Sequence, residues 1–220
     1  MDFRPYVPAL RDYARLLLGA DSPSGYTRHV IDLAEGLAHS MNYETRRSRK
    51  GNLTILVPGR DSSRTVGVCA HVDTLGLMVR SITAKGELLF RKIGGPVLPS
   101  LDGEYCTIYT RDGRSYSGTV LSLSPAAHVF DDASTRARDM ENMYVRLDEK
   151  VFNAEDVRAL GIEVGDYICY DAKTKFTRSG FLKSRFIDDK GSAAVLLTLL
   201  RWAAEQKKRP AYNVEITLTV

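Results

Sequence analysis

The chain has 220 residues, of which 44% are hydrophobic and 26% charged, with a formal net charge of +4. This is a globular composition, which excludes a disordered tail or a fibrous repeat, and the length allows one large domain or two small ones. The small positive charge is not gathered into a long basic stripe, so no nucleic-acid partner is expected.

The first predicted helix carries Leu10, Tyr13, Ala14, Leu17 and Leu18 at the i, i+3, i+4, i+7, i+8 spacing of a buried helical face. The cluster Asp21-Ser22-Pro23-Ser24-Gly25 stops it. A second helix is expected over residues 27–41, with Val30, Leu33, Ala34, Leu37 and Ala38 on one side. Strands follow at 43–47 and 52–57, joined by a turn at Lys50-Gly51, and residues 58–64 read as a polar loop. The run TVGVCA (65–70) reads as a buried strand of an α/β sheet, with Cys69 as a buried small hydrophobe.

Beyond this strand the texture changes. Short strand candidates at 87–91, 105–110, 115–121, 144–147 and 167–171 are separated by Gly-containing turns, the pattern of a small all-β unit. Asn153 is placed to cap a short helix running to Leu160. After Gly180 the helix–sheet pattern returns, with an apolar helix over 191–204 and an alternating strand, NVEITLTV, over 213–220. The expected organisation is an α/β domain made of residues 1–80 and 178–220, interrupted by a β-rich insert over 81–177. The last strand is expected inside a sheet, and if left as an edge it is expected to find another partner.

No apolar run approaches the ~20 residues needed to cross a bilayer. The longest, Ala193–Leu200, is broken by Thr198. Residues 1–10 contain an acid, a base and prolines where a secretory signal needs an apolar core. The three cysteines, Cys69, Cys106 and Cys169, are far apart and odd in number. A reduced, cytoplasmic protein with no disulfide framework and no membrane partner is expected.

Two short motifs can carry chemistry. His71-Val72-Asp73 follows the strand at 65–70, and ligands of open α/β sheets bind at the carboxyl ends of strands. An aspartate two residues after a histidine is able to accept the second imidazole N–H and fix the ring. The other motif is Phe186-Ile187-Asp188-Asp189-Lys190-Gly191, where two adjacent acids open the apolar helix. A cation is one reason to bring them together; favourable placement at a helix N-terminus is another. Imidazole together with carboxylate suits zinc, cobalt or manganese, and a carboxylate bridging two ions is the usual two-metal hydrolase design. His29, His39 and His128 have no evident ligand partners. The run Arg46-Arg47-Ser48-Arg49-Lys50 reads as a solvated strand and turn.

The order of these features resembles the co-catalytic metallo-aminopeptidases that include the glutamyl, deblocking and tetrahedral aminopeptidases. The matching stretches are Pro23-Ser24-Gly25-Tyr26, Gly51-Asn52-Leu53, AHVDTLGLMV (70–79), IGGPVLP (93–99), LGIEVGDYICYD (160–171) and SRFIDDKGSAAVLL (184–197). HVDTLG and the LGIEVGDY series are similar to a branch associated with osmolyte-dipeptide gene clusters. The resemblance implies a zinc-exopeptidase-like three-layer α/β/α catalytic domain, incomplete in this chain, interrupted by a small β-barrel-like insert. It implies two divalent metal ions, zinc or cobalt, a peptide substrate opened at its N-terminal residue, and a homo-oligomer from dimer to dodecamer. His71 would ligate one metal and Asp188 would bridge both. Asp73 would be the catalytic-site carboxylate orienting His71, and Asp189 would support the turn. The Asp188–Asp189 peptide is often cis in related enzymes.

Two departures matter. Thr74 stands where the family often has Glu after His-x-Asp. The family's Glu-Glu pair, a further Asp and a late His follow a strand like 213–220, and the chain is expected to lack them and so to be inert alone, with weak or single metal occupancy. The competing expectation is a truncated or degenerate paralogue serving as a non-catalytic scaffold or oligomerisation partner. A carbohydrate hydrolase does not fit, because adjacent Asp188 and Asp189 cannot flank a glycosidic bond at the ~5–9.5 Å its chemistry needs.

Overall fold

The structure is a computed structural model and describes residues 2–220. Helices α1 (Val7–Gly19) and α2 (Arg28–Ser40) precede strands β1 (Glu44–Arg47), β2 (Leu53–Val57) and β3 (Asp61–His71). Then come β4 (Gly76–Ile82), β5 (Leu88–Ile93), β6 (Tyr105–Tyr109), β7 (Ser115–Ser122), β8 (Met143–Leu147), the short helix α3 (Ala154–Ala159) and β9 (Tyr167–Tyr170). A two-stranded ribbon, β10 (Lys175–Phe176) with β11 (Leu182–Lys183), leads to α4 (Ile187–Glu205) and β12 (Tyr212–Thr219).

The chain divides into two compact units: the chain up to Thr74 with Ala172–Val220, and Leu75–Asp171. In the second unit six strands close into a barrel of order β4-β5-β8-β7-β6-β9. Its interior follows from strand alternation, which sends Leu77, Val79, Leu88, Phe90, Ile108, Val120, Val145 and Ile168 inward, all at most 1% exposed. Asn153 caps α3 as expected, its side chain accepting from the backbone N–H groups of Glu155 (2.8 Å) and Asp156 (3.0 Å). Residues 75–80, read from sequence as the end of the first segment, lie in the barrel unit, where Leu77 and Val79 of β4 point inward, and residues 172–177, read as the end of the insert, lie in the first unit.

In the first unit the sheet order is β1-β2-β12-β3. Strand β12 runs antiparallel to β2 and parallel to β3, with Ile216 opposite Ile55 on one side and Val68 on the other. One face is apolar: Leu53, Ile55, Ile216, Leu218 and Ala70 are buried against Ala14 and Leu17 of α1, Val30 and Ala34 of α2, and Ala194 and Leu197 of α4. The alternate positions point to the other face and are more polar, though Leu56 and Cys69 lie among them. Thr54 and Thr217 share a hydroxyl hydrogen bond of 3.1 Å, and Arg46 lies 3.5 Å from Glu215. The three helices of this unit cover the apolar face, so two of the three expected layers are present. Gly59, at the turn from β2 to β3, meets the backbone of Tyr212 so closely that an added Cβ would sit 2.2 Å from its carbonyl carbon.

Two sequence expectations are corrected here. Residues 65–69, Cys69 among them, are exposed rather than buried; Ala70 alone in this run is buried. The reason is position: β3 is the sheet edge, with β12 its one neighbour, and a parallel strand is buried only when flanked and covered on both faces. The strand also begins at Asp61, inside the predicted polar loop, because a solvated edge tolerates Asp61, Ser62, Ser63 and Arg64. The strand at 213–220, by contrast, is paired on both sides within the chain, so the open edge belongs to β3.

Leu197 is fully buried, whereas Leu199 on the same helix is 42% exposed. Leu197→Ala is expected to lower unfolding free energy by ~2–5 kcal/mol in denaturant titrations, and Leu199→Ala by much less. Gly59→Ala is expected to destabilise as well, since its obstruction is backbone.

Candidate active site

The parallel pair β3 and β12 ends with His71 opposite Thr219, and the start of α4 lies at this same carboxyl end. His71 is the last residue of β3. Its Nε2 is 3.1 Å from Asp188 Oδ1, and its Nδ1 is 3.1 Å from the Asp73 carbonyl oxygen and 3.2 Å from Asp73 Oδ1. Asp189 accepts a 3.3 Å hydrogen bond from the His71 backbone N–H. His71, Asp73, Asp188 and Asp189, separated by up to 118 residues in sequence, are thus brought together. His29, His39 and His128 do not join them: His39 Nε2 pairs with Thr45 Oγ1 at 2.9 Å.

At the entry to α4 the two acids face different partners, Asp188 the His71 ring and Asp189 the His71 backbone N–H. Phe186 adopts a left-handed conformation (φ +64°), the Asp188–Asp189 peptide is cis, and regular helical geometry starts only at Lys190. Lys190 is fully buried and donates from Nζ to the Ala20 carbonyl at 2.6 Å, tying the first turn of α4 to the end of α1. A lysine is rarely buried unless its charge is paired, and the carbonyl end of a helix is a favourable place for it.

The segment after β3 is fastened to the α1–α2 turn. Ser22 donates to the Val72 carbonyl (2.7 Å), and Ser24 donates to Asp73 Oδ2. Sequence reasoning read Ser22 and Ser24 only as part of a helix stop and of the Pro23-Ser24-Gly25-Tyr26 match. The available signal was the Pro-Ser-Gly order itself, which predicts a defined turn.

The site is open. The Asp188 side chain is 95% exposed and that of His71 42%. An imidazole whose Nδ1 is fixed by oxygen acceptors and whose Nε2 faces a carboxylate is suited to share a cation with that carboxylate. The donor set is short, however. Among the described residues no group of three or more His, Cys, Asp and Glu is placed to hold an ion, whereas catalytic zinc sites use three protein ligands. The residues present fit part of a metal centre.

Partial burial lowers the His71 pKa, but the Asp188 hydrogen bond, the Asp73 carbonyl and both carboxylate charges outweigh it, and the net shift is upward. A histidine pKa raised on folding stabilises the fold fully below the unfolded value of ~6.5 and loses that contribution as pH rises through the folded value. In NMR titration His71 is expected to titrate above the ordinary value. Asp188→Asn is expected to bring it down and to remove that part of the pH-dependent stability.

The chain matches the M42 glutamyl aminopeptidase family over residues 51–220. It is 46% identical over 184 residues to YhfE of Bacillus subtilis (strain 168), a protein provisionally named an aminopeptidase, covering 84% of this chain and 53% of that one. Among solved structures it resembles the TET aminopeptidase of the marine sediment archaeon Thaumarchaeota archaeon SCGC AB-539-E09. The TM-score is 0.85 at 22% identity, over 96% of this chain and 58% of the other. It also resembles the Pyrococcus horikoshii TET1 peptidase, with a TM-score of 0.77 at 20% identity, over 96% and 61% of the two chains. The two structural likenesses show a shared α/β fold, and the chain spans about half the length of the curated relatives it matches. Family match and fold agree: the chain belongs to the M42 glutamyl aminopeptidase family.

Proposed function

We propose that these 220 residues supply part of the centre of a metal-dependent aminopeptidase that removes the N-terminal residue of peptides. The observation that carries this is the meeting of the His71 imidazole with the Asp188 carboxylate, 3.1 Å apart at the carboxyl end of the β3–β12 pair. Family membership supports the same reading.

In this proposal His71 Nε2 and Asp188 would hold a divalent cation, zinc or cobalt, and Asp188 would be the carboxylate shared with a second one. Such a cation supplies Lewis acidity toward the scissile peptide carbonyl. Asp73 accepts a hydrogen bond from the His71 Nδ1–H, which keeps the proton on Nδ1 and the Nε2 lone pair available. Asp189 holds the His71 backbone and so fixes the end of β3 against the start of α4. Exposure of Asp188 leaves room for a peptide terminus. Cytoplasmic location and a homo-oligomer of two to twelve copies complete the reading. The Pyrococcus horikoshii TET1 peptidase, which can assemble into a tetrahedron or a large octahedral shell, supports the oligomer.

With so few donors in reach, the 220-residue chain is proposed to take up one cation weakly and not to hydrolyse aminoacyl-anilides by itself. Calorimetric titration with zinc or cobalt is expected to give a single weak event that His71→Ala and Asp188→Ala abolish. Tight stoichiometric binding of two ions, or binding that survives both substitutions, would sink this assignment.

A further inference from the structure

The turn between α1 and α2 is laced to the segment that follows β3. Within it, Tyr26 N–H donates to the Pro23 carbonyl at 2.7 Å, and Gly25 has φ +94°, the left-handed conformation that a type II turn needs at its third position. Ser24 occupies the corner. Ser22, fully buried, donates from Oγ to the Val72 carbonyl at 2.7 Å. The Thr74 N–H donates to the Ser22 carbonyl (2.8 Å) and the Ser24 N–H to the Thr74 carbonyl (3.2 Å). Against this frame Ser24 Oγ donates to Asp73 Oδ2, while Asp73 Oδ1 lies 3.2 Å from His71 Nδ1.

A serine–aspartate hydrogen bond at a surface ordinarily contributes little, because ordering the two groups costs about what the bond returns. Here the backbone bonds and the buried Ser22 have already fixed both segments. The Ser24 hydroxyl therefore meets Asp73 with little further ordering, and it takes up one of the two carboxylate oxygens that could otherwise rotate away from the ring.

We propose that Ser24 is a positioning residue for the metal site. By occupying Asp73 Oδ2 it holds Oδ1 against His71 Nδ1, adds to the grip of the Asp73 carbonyl on the ring proton there, and leaves the Nε2 lone pair facing the side where Asp188 and a divalent cation meet. The inference rests on the metal-site reading above and extends it to the α1–α2 turn.

The tautomer of the neutral His71 ring reads this directly, without metal or turnover. The 220-residue chain carrying Asp188→Ala is labelled with 15N-histidine, so that the partners of Nδ1 alone set the tautomer. His71 is identified by the signal lost in His71→Gln. Long-range 1H–15N spectra above the ring's titration are expected to show mainly the Nδ1–H form. Because the Asp73 carbonyl, 3.1 Å from Nδ1, still accepts from the ring, adding Ser24→Ala, or Gly25→Ala to unseat the turn, is expected to raise the Nε2–H fraction without making it the majority, and Ser24→Thr to bring it back down. A merely structural role would lower thermal stability and leave the tautomer alone. A tautomer unmoved by Ser24→Ala, or an Nε2–H ring with Ser24 intact, overturns the proposal. With Asp188 intact, Ser24→Ala is expected to weaken cobalt binding roughly tenfold. If the chain with Asp188 intact takes up no cobalt while the tautomer still follows Ser24, the metal reading fails and the positioning role stands.

Discussion

Everything in the first unit depends on the insertion of β12 between β2 and β3. This strand is hydrogen-bonded on both sides, antiparallel to one neighbour and parallel to the other. It is the piece that joins the two separated stretches of this unit into one sheet. Without it β3 would have no neighbour in the sheet, and the apolar residues of α4 would lose Ile216 and Leu218 beneath them. The same pairing aligns the carboxyl ends of two parallel strands, which is where open α/β sheets place their chemistry.

The candidate site inherits its geometry from that arrangement. His71 is delivered by the last residue of a strand and Asp188 by the irregular entry to a helix, so neither depends on a long free loop. Each is held by a neighbour: Asp189 by accepting from the His71 backbone, Asp73 by facing the ring, Lys190 by anchoring the helix start to Ala20. Charges that would repel one another are thereby spread over distinct partners. Asp188 faces solvent and the imidazole, whereas Asp189 faces a backbone N–H.

Much of the fold was legible because its periodicities are simple. The apolar stripe of α1, the alternation of β12 and the Gly-punctuated strands of the barrel declare themselves in the residues. What was not legible has a physical cause. Strand β3 begins with five polar residues on an open edge, where no apolar alternation is required, and Cys69 is exposed because among the described residues no strand flanks that edge. Burial is a property of neighbours, and a strand's own composition does not name them. The site shows the same limit. His71 and Asp188 are each ambiguous alone, and their convergence across 117 residues comes from topology, which the family resemblance supplied and local spacing could not. The serines of the α1–α2 turn went unassigned for a related reason: a hydroxyl carries little signal until its acceptor is known.

The interrupted first unit has a consequence for the order in which the protein acquires structure. The sheet needs β12 beside β3, so the chain must close a loop of about 140 residues before that pairing can form. The barrel shortens the search. Its first and last strands are direct neighbours, Leu77 opposite Ile168, so once it has formed, its entry and exit leave from adjacent positions. A folded insert of roughly 100 residues then counts as a short bridge, and the loop left to close falls to about 45 residues, lowering its entropic cost by roughly 1 kcal/mol. On the ribosome the barrel's strands emerge complete before β12 does, and its contacts are more local than those of the sheet. With the insert folded, the segment that carries β12 departs from beside the strand that follows β3, so β12 searches for its place from a short tether and not from the far end of an open loop.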